Sequence, residues 1–193
     1  MIIGICGFKG SGKDTVANFL VKEKGFEKIS FASVLKDIIA ILFNWDRNML
    51  EGDTHENRIL REQEDDWWSK KLGIKFTPRW AMQNIGTDLF RKYFDDNIWV
   101  YTLERRLINN KEKNYVISDV RFTNEIEFLY NINSTLVYVE REEPEEWFYN
   151  LEKVPKDLHI SEWSWIKYLP NICLKNKGTI EELYKEIETK IIF

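Results

Sequence analysis

The glycine-rich segment GFKGSGKDT at residues 7–15 restricts the possible folds more than any other part of the chain. An apolar, β-branched run at 1–6 precedes it, and Lys13–Lys24 follows with its apolar residues at helical spacing. A strand, a glycine-rich turn and a helix in this order are typical of a phosphate-binding loop, where backbone N–H groups and the positive end of the helix bind phosphate. The segment therefore predicts a nucleoside triphosphate site; a capped glycine turn without a ligand is the alternative.

Individual loop residues have expected roles. The ammonium group of Lys13 is expected to reach the β- and γ-phosphates and so to be catalytic. Asp14 stands where the usual pattern, GxxxxGK followed by Ser or Thr, has the hydroxyl that binds Mg²⁺. We expect Asp14 to bind Mg²⁺ directly or through water, and Thr15 to contact phosphate. The predicted nucleotide-binding residues of the loop are Gly10, Ser11, Gly12, Lys13, Asp14 and Thr15.

Apolar runs alternate with helical patterns in the rest of the chain. Further strand candidates lie at 26–31, 115–118, Thr135–Glu140 and 172–174, and helix candidates at 34–43 and 179–191. Strands that alternate with helices are typical of a parallel sheet covered on both faces. We predict an α/β fold with a five-stranded parallel sheet flanked by helices, in a single domain over 1–193. Its core comprises about 1–44 and 111–193.

The segment at about 45–110 has no convincing strand pattern, so we predict a helical insertion there. Its charged stretch at 52–66 is either a solvated helix or loop, or an insert that contacts substrate. Thr77 followed by Pro78 is typical of a helix start. Arg79, Gln83 and Gly86 fall on one face of that helix. The predicted buried stripe on another face consists of Met82, Ile85, Leu89 and Tyr93.

Composition restricts the class of partner. The formal net charge is −4, from 28 basic and 32 acidic residues, which disfavours a binder of polymeric nucleic acid or of a membrane surface. There is no run of 18 apolar residues and no signal-peptide pattern at the N-terminus. Cys6 and Cys173 lie in apolar strand-like runs, so we expect buried free thiols in a reducing compartment. These observations favour a cytoplasmic protein with a small-molecule partner.

Four segments, in order, resemble the viral and phage deoxynucleoside monophosphate kinase family. They are GSGKDT at 10–15; TPRWAMQNIGTDLFRKYF at 77–94 with Trp99 and Val100 beyond it; YVISDVRFTNE at 115–125; and HISE at 159–162. The resemblance implies a P-loop kinase fold, and it implies ATP- and Mg²⁺-dependent phosphorylation of deoxynucleoside monophosphates to diphosphates, in the host cytoplasm if the source is viral. Animal-type phosphomevalonate kinases share the GKD loop and the Ser-Asp-x-Arg segment and are the alternative. A nucleotide-binding module without catalysis is the second alternative.

The resemblance also implies site residues. Arg121 and Arg141 join Lys13 as catalytic cations, because the planar guanidinium binds phosphate with two parallel hydrogen bonds. Asp119, at the carboxyl end of a strand, is expected to orient Mg²⁺ through water or to bind the acceptor. Asn176 and Gly178 are expected to contact the adenine of ATP. The predicted acceptor-binding residues are Lys9, Arg79, Gln83, Gly86, Asp88, Trp99, Asp119, Arg121 and Glu125.

Most of these residues have structural alternatives. Asp119 would instead cap a helix, Arg121 would form an ion pair with Glu125, and Trp99 would belong to the core. Arg141 opens a polar segment at about 141–165, which nucleotide kinases use as a lid; the alternative is a surface charge. The remaining interpretations are His159 as a polar contact within the lid, Thr179 as a helix cap with Glu182 three residues later, and a homodimer formed through the insertion.

Overall fold

The computed structural model describes residues 1–109, 112–143, 145–168 and 170–193. The strands of these residues are β1 (Ile2–Cys6), β2 (Glu27–Ile29), β3 (Tyr115–Ile117), β4 (Thr135–Glu140) and β5 (Ile172–Lys175). The α-helices are α1 (Lys13–Lys24), α2 (Ser33–Phe43), α3 (Arg47–Glu51), α4 (His55–Glu62), α5 (Asp66–Leu72), α6 (Pro78–Asn84), α7 (Ile98–Ile108), α8 (Thr123–Asn131), α9 (Glu146–Tyr149) and α10 (Ile180–Lys190). A π-helix spans Ile85–Phe94, and 3₁₀ helices span Leu151–Lys153, Ile160–Glu162 and Ser164–Lys167.

The strands form one sheet of five parallel strands in the order β2-β3-β1-β4-β5. Gly4 in the central strand pairs with Ile117 on one side and with Leu136 on the other. The predicted parallel sheet and its α/β class are confirmed. The strand predicted at 26–31 is shorter in the structure, because only Glu27–Ile29 reaches the ladder of β3.

Alternate side chains of β1 point to opposite faces of the sheet, as strand geometry requires. Ile3 and Ile5 are fully buried in a cluster with apolar residues of α1 and α10, among them Leu20 and Leu183. On the other face, Leu129 of α8 packs closely over Gly4. Helices therefore cover both faces of the sheet, which explains why its central strands are uniformly apolar.

The chain divides into two compact units. The first consists of Met1–Ser30 and Arg106–Phe193 and contains the sheet, and the second consists of Phe31–Arg105. Every regular element that the structure describes in the second unit is helical. The boundary predicted at 110/111 lies outside the described residues, as does Pro144 of the predicted lid. The single domain with its insertion and lid therefore stays a prediction.

The second unit has an aromatic core of its own. Phe43 packs against Trp45, Trp68 and Phe76 with ring centroids 4.8–5.1 Å apart. Trp67 lies at the edge of this core: its ring is 4.6 Å from that of Trp68 between centroids, and Trp67 is 59% exposed. Edge-to-face and tilted aromatic pairs of this kind stabilise a small core beyond the area that they bury.

The predicted buried stripe of the helix after Thr77 is wrong in its second half. Leu89 is 54% exposed and Tyr93 is 79% exposed, while Met82 and Ile85 are only partly buried. The start of the helix is confirmed, because the Thr77 hydroxyl accepts the Trp80 N–H at 3.0 Å. The error therefore arises further along the helix.

The physical reason is the change from α-helix to π-helix at Ile85–Phe94. Hydrogen bonds that span five residues replace those that span four, so residues five apart come to share a face. Ala81, Gly86 and Arg91 are the buried residues at that step. Buried Arg91 donates to the carbonyl oxygen of Asp96 at 2.7 Å and forms an ion pair with the Asp96 carboxylate at 3.4 Å, which compensates for the burial of its charge.

Among the described residues, no helix is long and apolar enough to cross a bilayer. Cys6 and Cys173 are free thiols, as expected. Cys6 is buried and Cys173 is only partly buried. Burial raises the pKa of the Cys6 thiol to about 12, so this thiol stays protonated and unreactive.

Candidate phosphate-binding site

The loop at residues 7–15 joins the carboxyl end of β1 to the amino end of α1, as predicted. Gly12 precedes the helix with φ of +102°, a conformation that favours glycine. A Cβ atom at this position would also collide with the amide nitrogen of Asn176. That amide donates to the carbonyl oxygen of Ser11 at 2.8 Å, so the loop after β5 is tied to the phosphate loop.

Lys13 lies over the loop that precedes it. Its ammonium group donates to the carbonyl oxygens of Gly7 at 2.8 Å and of Phe8 at 2.7 Å. Burial, followed by the charge of Arg121, lowers the pKa of Lys13 to about 8. Asp14 and Glu162 oppose this shift. Two cations placed close together in a partly buried loop are suited to a polyanionic ligand, which would offset their mutual repulsion.

Proton uptake on nucleotide binding tests this arrangement. Because the pKa of Lys13 is lowered to about 8, part of the free protein has a neutral lysine at pH 8, and a bound triphosphate would favour the charged form. We expect uptake of about 0.5 proton per nucleotide at pH 8, and affinity that falls as pH rises through 8 to 10. Calorimetry with ADP and EDTA in two buffers of different ionisation enthalpy measures it. The same uptake in Lys13→Ala would contradict the assignment.

The Arg121 side chain bonds to residues of the segment after β4 rather than to Glu125. Its Nη1 donates to the Glu162 carboxylate at 3.0 Å and to the Ser161 carbonyl oxygen at 3.3 Å. The buried Glu125 carboxylate instead accepts the backbone N–H groups of Arg121 at 2.8 Å and of Phe122 at 3.0 Å. Glu125 therefore holds the start of α8, and the alternative in which Arg121 forms an ion pair with Glu125 is wrong.

Phe122 is the N-cap residue of α8, so the alternative in which Asp119 caps this helix is also wrong. Asp119 is partly buried, two residues beyond the end of β3. This is the edge of a parallel sheet at which ligands bind in open α/β folds.

Arg141 also reaches the phosphate loop. Its Nη1 donates to the carbonyl oxygen of Gly10 at 3.1 Å, although these residues are 131 positions apart. Lys13, Arg121 and Arg141, predicted from separate parts of the sequence, thus all have contacts or electrostatic interactions at one loop. Lys9 and Gly10 are exposed, whereas the Ser11 side chain is buried beneath the loop.

Asp14 has two neighbours that sequence reasoning missed. Its Oδ1 accepts from the Lys28 ammonium group at 3.2 Å and from the Ser118 hydroxyl at 3.4 Å. Ser118 directly follows β3, so its place at the carboxyl end of a strand was a usable signal. Nothing in the sequence pattern distinguished Lys28 from an ordinary exposed residue of a strand.

Phe8 is another residue that sequence reasoning missed. Its ring contacts three aromatic rings of the predicted lid: Trp147 at 5.6 Å, Phe148 at 5.7 Å and Trp165 at 5.2 Å between centroids. The loop and the segment after β4 are thus packed together through aromatic side chains. His159 in that segment bonds to Ser161, its Nδ1 accepting the backbone N–H at 3.2 Å.

The loop before α10 has the predicted cap. Thr179 and Glu182 form a capping box in which each side chain accepts the other's backbone N–H, at 3.3 and 2.8 Å. Gly178 lies directly before it. The Asn176 side chain bonds to Ser11, so this loop is positioned beside the phosphate loop by a contact that local turn chemistry did not predict.

The remaining predicted site residues belong to the second unit. Arg79 and Gln83 are partly buried one turn apart on α6, and Asp88 is exposed on the π-helix. Trp99 is only 4% exposed, and its indole N–H donates to the carbonyl oxygen of Gly86 at 3.0 Å. Trp99 is therefore a core residue, which was the structural alternative to a contact with the acceptor.

Gly86 was expected to let a ligand approach the backbone, but the neighbouring space is filled by Leu35. A Cβ atom at Gly86 would lie 2.6 Å from Leu35 Cδ2. We expect Gly86→Ala to lower the free energy of unfolding by about 1–3 kcal/mol through overpacking, measured by urea denaturation. In a Leu35→Ala background the same change should cost nothing, because the clashing methyl group is gone. An equal cost in both backgrounds would contradict this explanation.

Comparison with known proteins shows which family this chain belongs to. The model of the family described as deoxynucleotide monophosphate kinase matches residues 48–187. The chain belongs to the deoxynucleotide monophosphate kinase family. It is 34% identical over 201 residues to a protein of Acanthamoeba polyphaga mimivirus assigned as a deoxynucleotide monophosphate kinase, covering 97% of this chain and 94% of that protein. The deoxynucleoside-5'-monophosphate kinase of Escherichia phage T5 is 26% identical over 69% of this chain and 73% of that protein.

Among solved structures, dephospho-CoA kinase from Campylobacter jejuni aligns with a TM-score of 0.50 and 16% sequence identity, over 97% of this chain and 94% of that one. At this identity the likeness concerns the fold alone, and it is that of a P-loop kinase. The resemblance drawn from the four sequence segments is confirmed. The chain is a kinase of this family.

Proposed function

We propose that this kinase transfers the γ-phosphoryl group of ATP to the phosphate of a deoxynucleoside monophosphate, with Mg²⁺, forming ADP and a deoxynucleoside diphosphate. The observation that carries the proposal is the set of cations at the phosphate loop. Lys13 lies over the loop, Arg141 donates to its Gly10 carbonyl, and Arg121 is close enough to depress the pKa of Lys13. Phosphoryl transfer depends mainly on positioning and on neutralising negative charge, and these groups supply both.

For the donor, we propose that the loop N–H groups at 10–15 and the amino end of α1 bind the β- and γ-phosphates. Lys13 would leave its carbonyl partners for the phosphates, and its pKa would then rise. Asn176 and Gly178 would contact the adenine from the loop that Asn176 ties to Ser11. Thr15 at the start of α1 would add a hydroxyl contact to phosphate.

The donor set at Asp14 suits Mg²⁺ that arrives with the nucleotide. Mg²⁺ is usually held by one or two carboxylates together with substrate phosphates and waters. Asp14 supplies a carboxylate, and the Ser118 hydroxyl lies next to it. No group of three or more acidic, histidine or cysteine side chains that could hold a metal occurs among the described residues. When bound, Mg²⁺ neutralises charge on the transferred group. Asp119 is the second residue proposed to orient it, through water.

For the acceptor, we propose that Arg79 binds the phosphate and that Gln83, one turn later on α6, reads the base edge. The predicted acceptor-binding region also includes Asp88, Trp99 and Gly86. Trp99 and Gly86 would support its backbone through the bond between them. The other residues predicted to contact the acceptor are Lys9, Asp119, Arg121 and Glu125, with Glu125 acting through the backbone that it holds.

The acceptor phosphate is the proposed nucleophile. Its oxygens are already ionised at neutral pH, so the reaction needs no general base. Arg121 and Arg141 would stabilise charge on the transferred group. The segment at 141–165 would exclude water, which otherwise competes as an acceptor.

The experiment is an ADP-release assay with ATP and Mg²⁺ and a panel of acceptors. The panel contains the four common deoxynucleoside monophosphates, their ribonucleotide counterparts and phosphomevalonate. Turnover with at least one deoxynucleotide, well above that with water alone, is the expected result. Turnover with phosphomevalonate alone would replace the proposed acceptor, and nucleotide binding without turnover on any acceptor would indicate a module that has lost catalysis.

A further inference from the structure

The position of Arg121 is set by four hydrogen bonds from three parts of the first unit. Its Nη1 donates to the Glu162 carboxylate at 3.0 Å and to the Ser161 carbonyl oxygen at 3.3 Å. Its backbone N–H donates to Glu125 at 2.8 Å. Its backbone carbonyl accepts the hydroxyl of buried Ser164 at 2.8 Å. Both the main chain and one edge of the guanidinium are therefore held.

The two side-chain bonds use the same nitrogen. Among the residues that the structure describes, neither Nε nor Nη2 of Arg121 donates to a protein acceptor. A guanidinium has five N–H groups in a planar fork, so one edge can pair with a carboxylate while another remains available to phosphate. Glu162 thus restrains Arg121 without using all of its donors.

Glu162 is linked to the phosphate loop through Trp165. The indole N–H of Trp165 donates to the Glu162 carbonyl oxygen at 3.0 Å. The ring of Trp165 packs edge-on against Phe8 of the loop, at 5.2 Å between centroids. The Glu162 side chain is 16% exposed and that of Arg121 is 33% exposed, so their bond is shielded from water mainly on the Glu162 side. A chain of contacts therefore links the loop, through Trp165 and Glu162, to Arg121.

We propose that Glu162 is a positioning residue whose carboxylate holds the Arg121 guanidinium in the orientation in which it contacts the phosphate groups. This inference rests on the proposed function, in which Arg121 is catalytic. Misplacing a group by about 1 Å costs catalysis heavily, so a residue that only orients Arg121 is expected to affect kcat more than substrate binding. Glu162 is not expected to touch the substrate.

The first test compares Glu162→Gln, which keeps the shape and removes the charge, with Glu146→Gln. Glu146 lies in the same segment, is exposed and pairs with Lys153 at the surface, so it is the matched control. We expect Glu162→Gln to lower kcat about 10- to 100-fold with KM for ATP within about threefold of wild type. Glu162→Asp, which keeps the charge, should recover part of the loss. Glu146→Gln should have wild-type kcat.

A double-mutant cycle separates positioning from a general effect on the fold. If Glu162 acts through Arg121, then Glu162→Gln should change kcat less than about threefold in an Arg121→Gln background. An equal loss in both backgrounds would overturn the proposal, as would a kcat for Glu162→Gln within about twofold of wild type. Thermal unfolding of each variant identifies any that must be assayed at lower temperature, and Glu162→Asp provides the comparison if Glu162→Gln is unstable.

A readout independent of activity distinguishes this inference from the proposed function. Restricted rotation of a paired guanidinium gives separate Nη signals in nitrogen NMR spectra, and Arg121 is identified as the signal missing in Arg121→Gln. We expect these signals to be separate in wild type and Glu146→Gln and averaged in Glu162→Gln. If wild type phosphorylates no acceptor, the proposed function fails while this result stands. If the Arg121 signals are unchanged in Glu162→Gln, the positioning role fails whatever the activity.

Discussion

Lys13→Ala is expected to lower kcat for phosphoryl transfer by about 1,000-fold or more, the largest effect that we predict. The ammonium group is the cation of the phosphate loop, and charge stabilisation in a water-poor site is usually the main source of catalysis. Its bonds to the carbonyl oxygens of Gly7 and Phe8 place it where the phosphates are expected. The measurement is ADP release with saturating ATP and the best acceptor of the panel.

The fold should survive this substitution. The pKa of Lys13 lies below its unfolded value, so the charged form costs stability below about pH 8, and its removal offsets the two lost hydrogen bonds. We expect Tm within about 4 °C of wild type. Lys22→Ala, on the exposed side of the same helix, is the matched control and should retain full activity. Activity of Lys13→Ala near that of wild type would refute the phosphate-loop assignment.

Arg121→Gln is expected to lower kcat by about 100- to 1,000-fold, with a smaller change in KM for ATP. The guanidinium would act on the transferred group, whereas the loop N–H groups and Lys13 would hold the nucleotide in the ground state. Interactions that strengthen only in the transition state appear in kcat rather than in KM. Steady-state kinetics with both substrates varied separates the two parameters.

Arg105→Gln, an exposed arginine on α7, is the comparison for loss of one positive charge. It should leave kcat unchanged. If Arg121→Gln raised KM for the acceptor and spared kcat, Arg121 would be an acceptor-binding residue rather than a catalytic one. If Arg121→Gln changed neither kcat nor KM, Arg121 would have only a structural role near the phosphate loop.

Features with short-range causes could be predicted from the sequence. The phosphate loop, the exact bounds of α1 and β4, the Thr77 helix start and the Thr179 capping box depend on residues within a few positions of each other. The parallel sheet followed from the alternation of apolar strands with amphipathic helices. The family followed from four motifs in order, and it agrees with the match over 48–187.

The register of the helix after Thr77 could not be predicted, because the expected spacing assumed an α-helix. The π-helix at Ile85–Phe94 changed which residues share a face, so Arg91 is buried and Tyr93 is exposed. Leu35, far away in sequence, fills the space at Gly86. Both features depend on packing among elements that no local pattern reports.

The phosphate loop and the parallel α/β fold that follows it could be inferred from the amino-acid sequence, because local backbone geometry and hydrophobic periodicity depend on neighbouring residues. The partners that hold the candidate catalytic groups are visible only in the three-dimensional structure. Arg121 bonds to Glu162, 41 residues away, rather than to nearby Glu125, and the Asn176 amide supports the loop at Ser11 from 165 residues away. Such bonds form where the chain brings distant segments together, and their energies depend on that juxtaposition rather than on spacing along the chain.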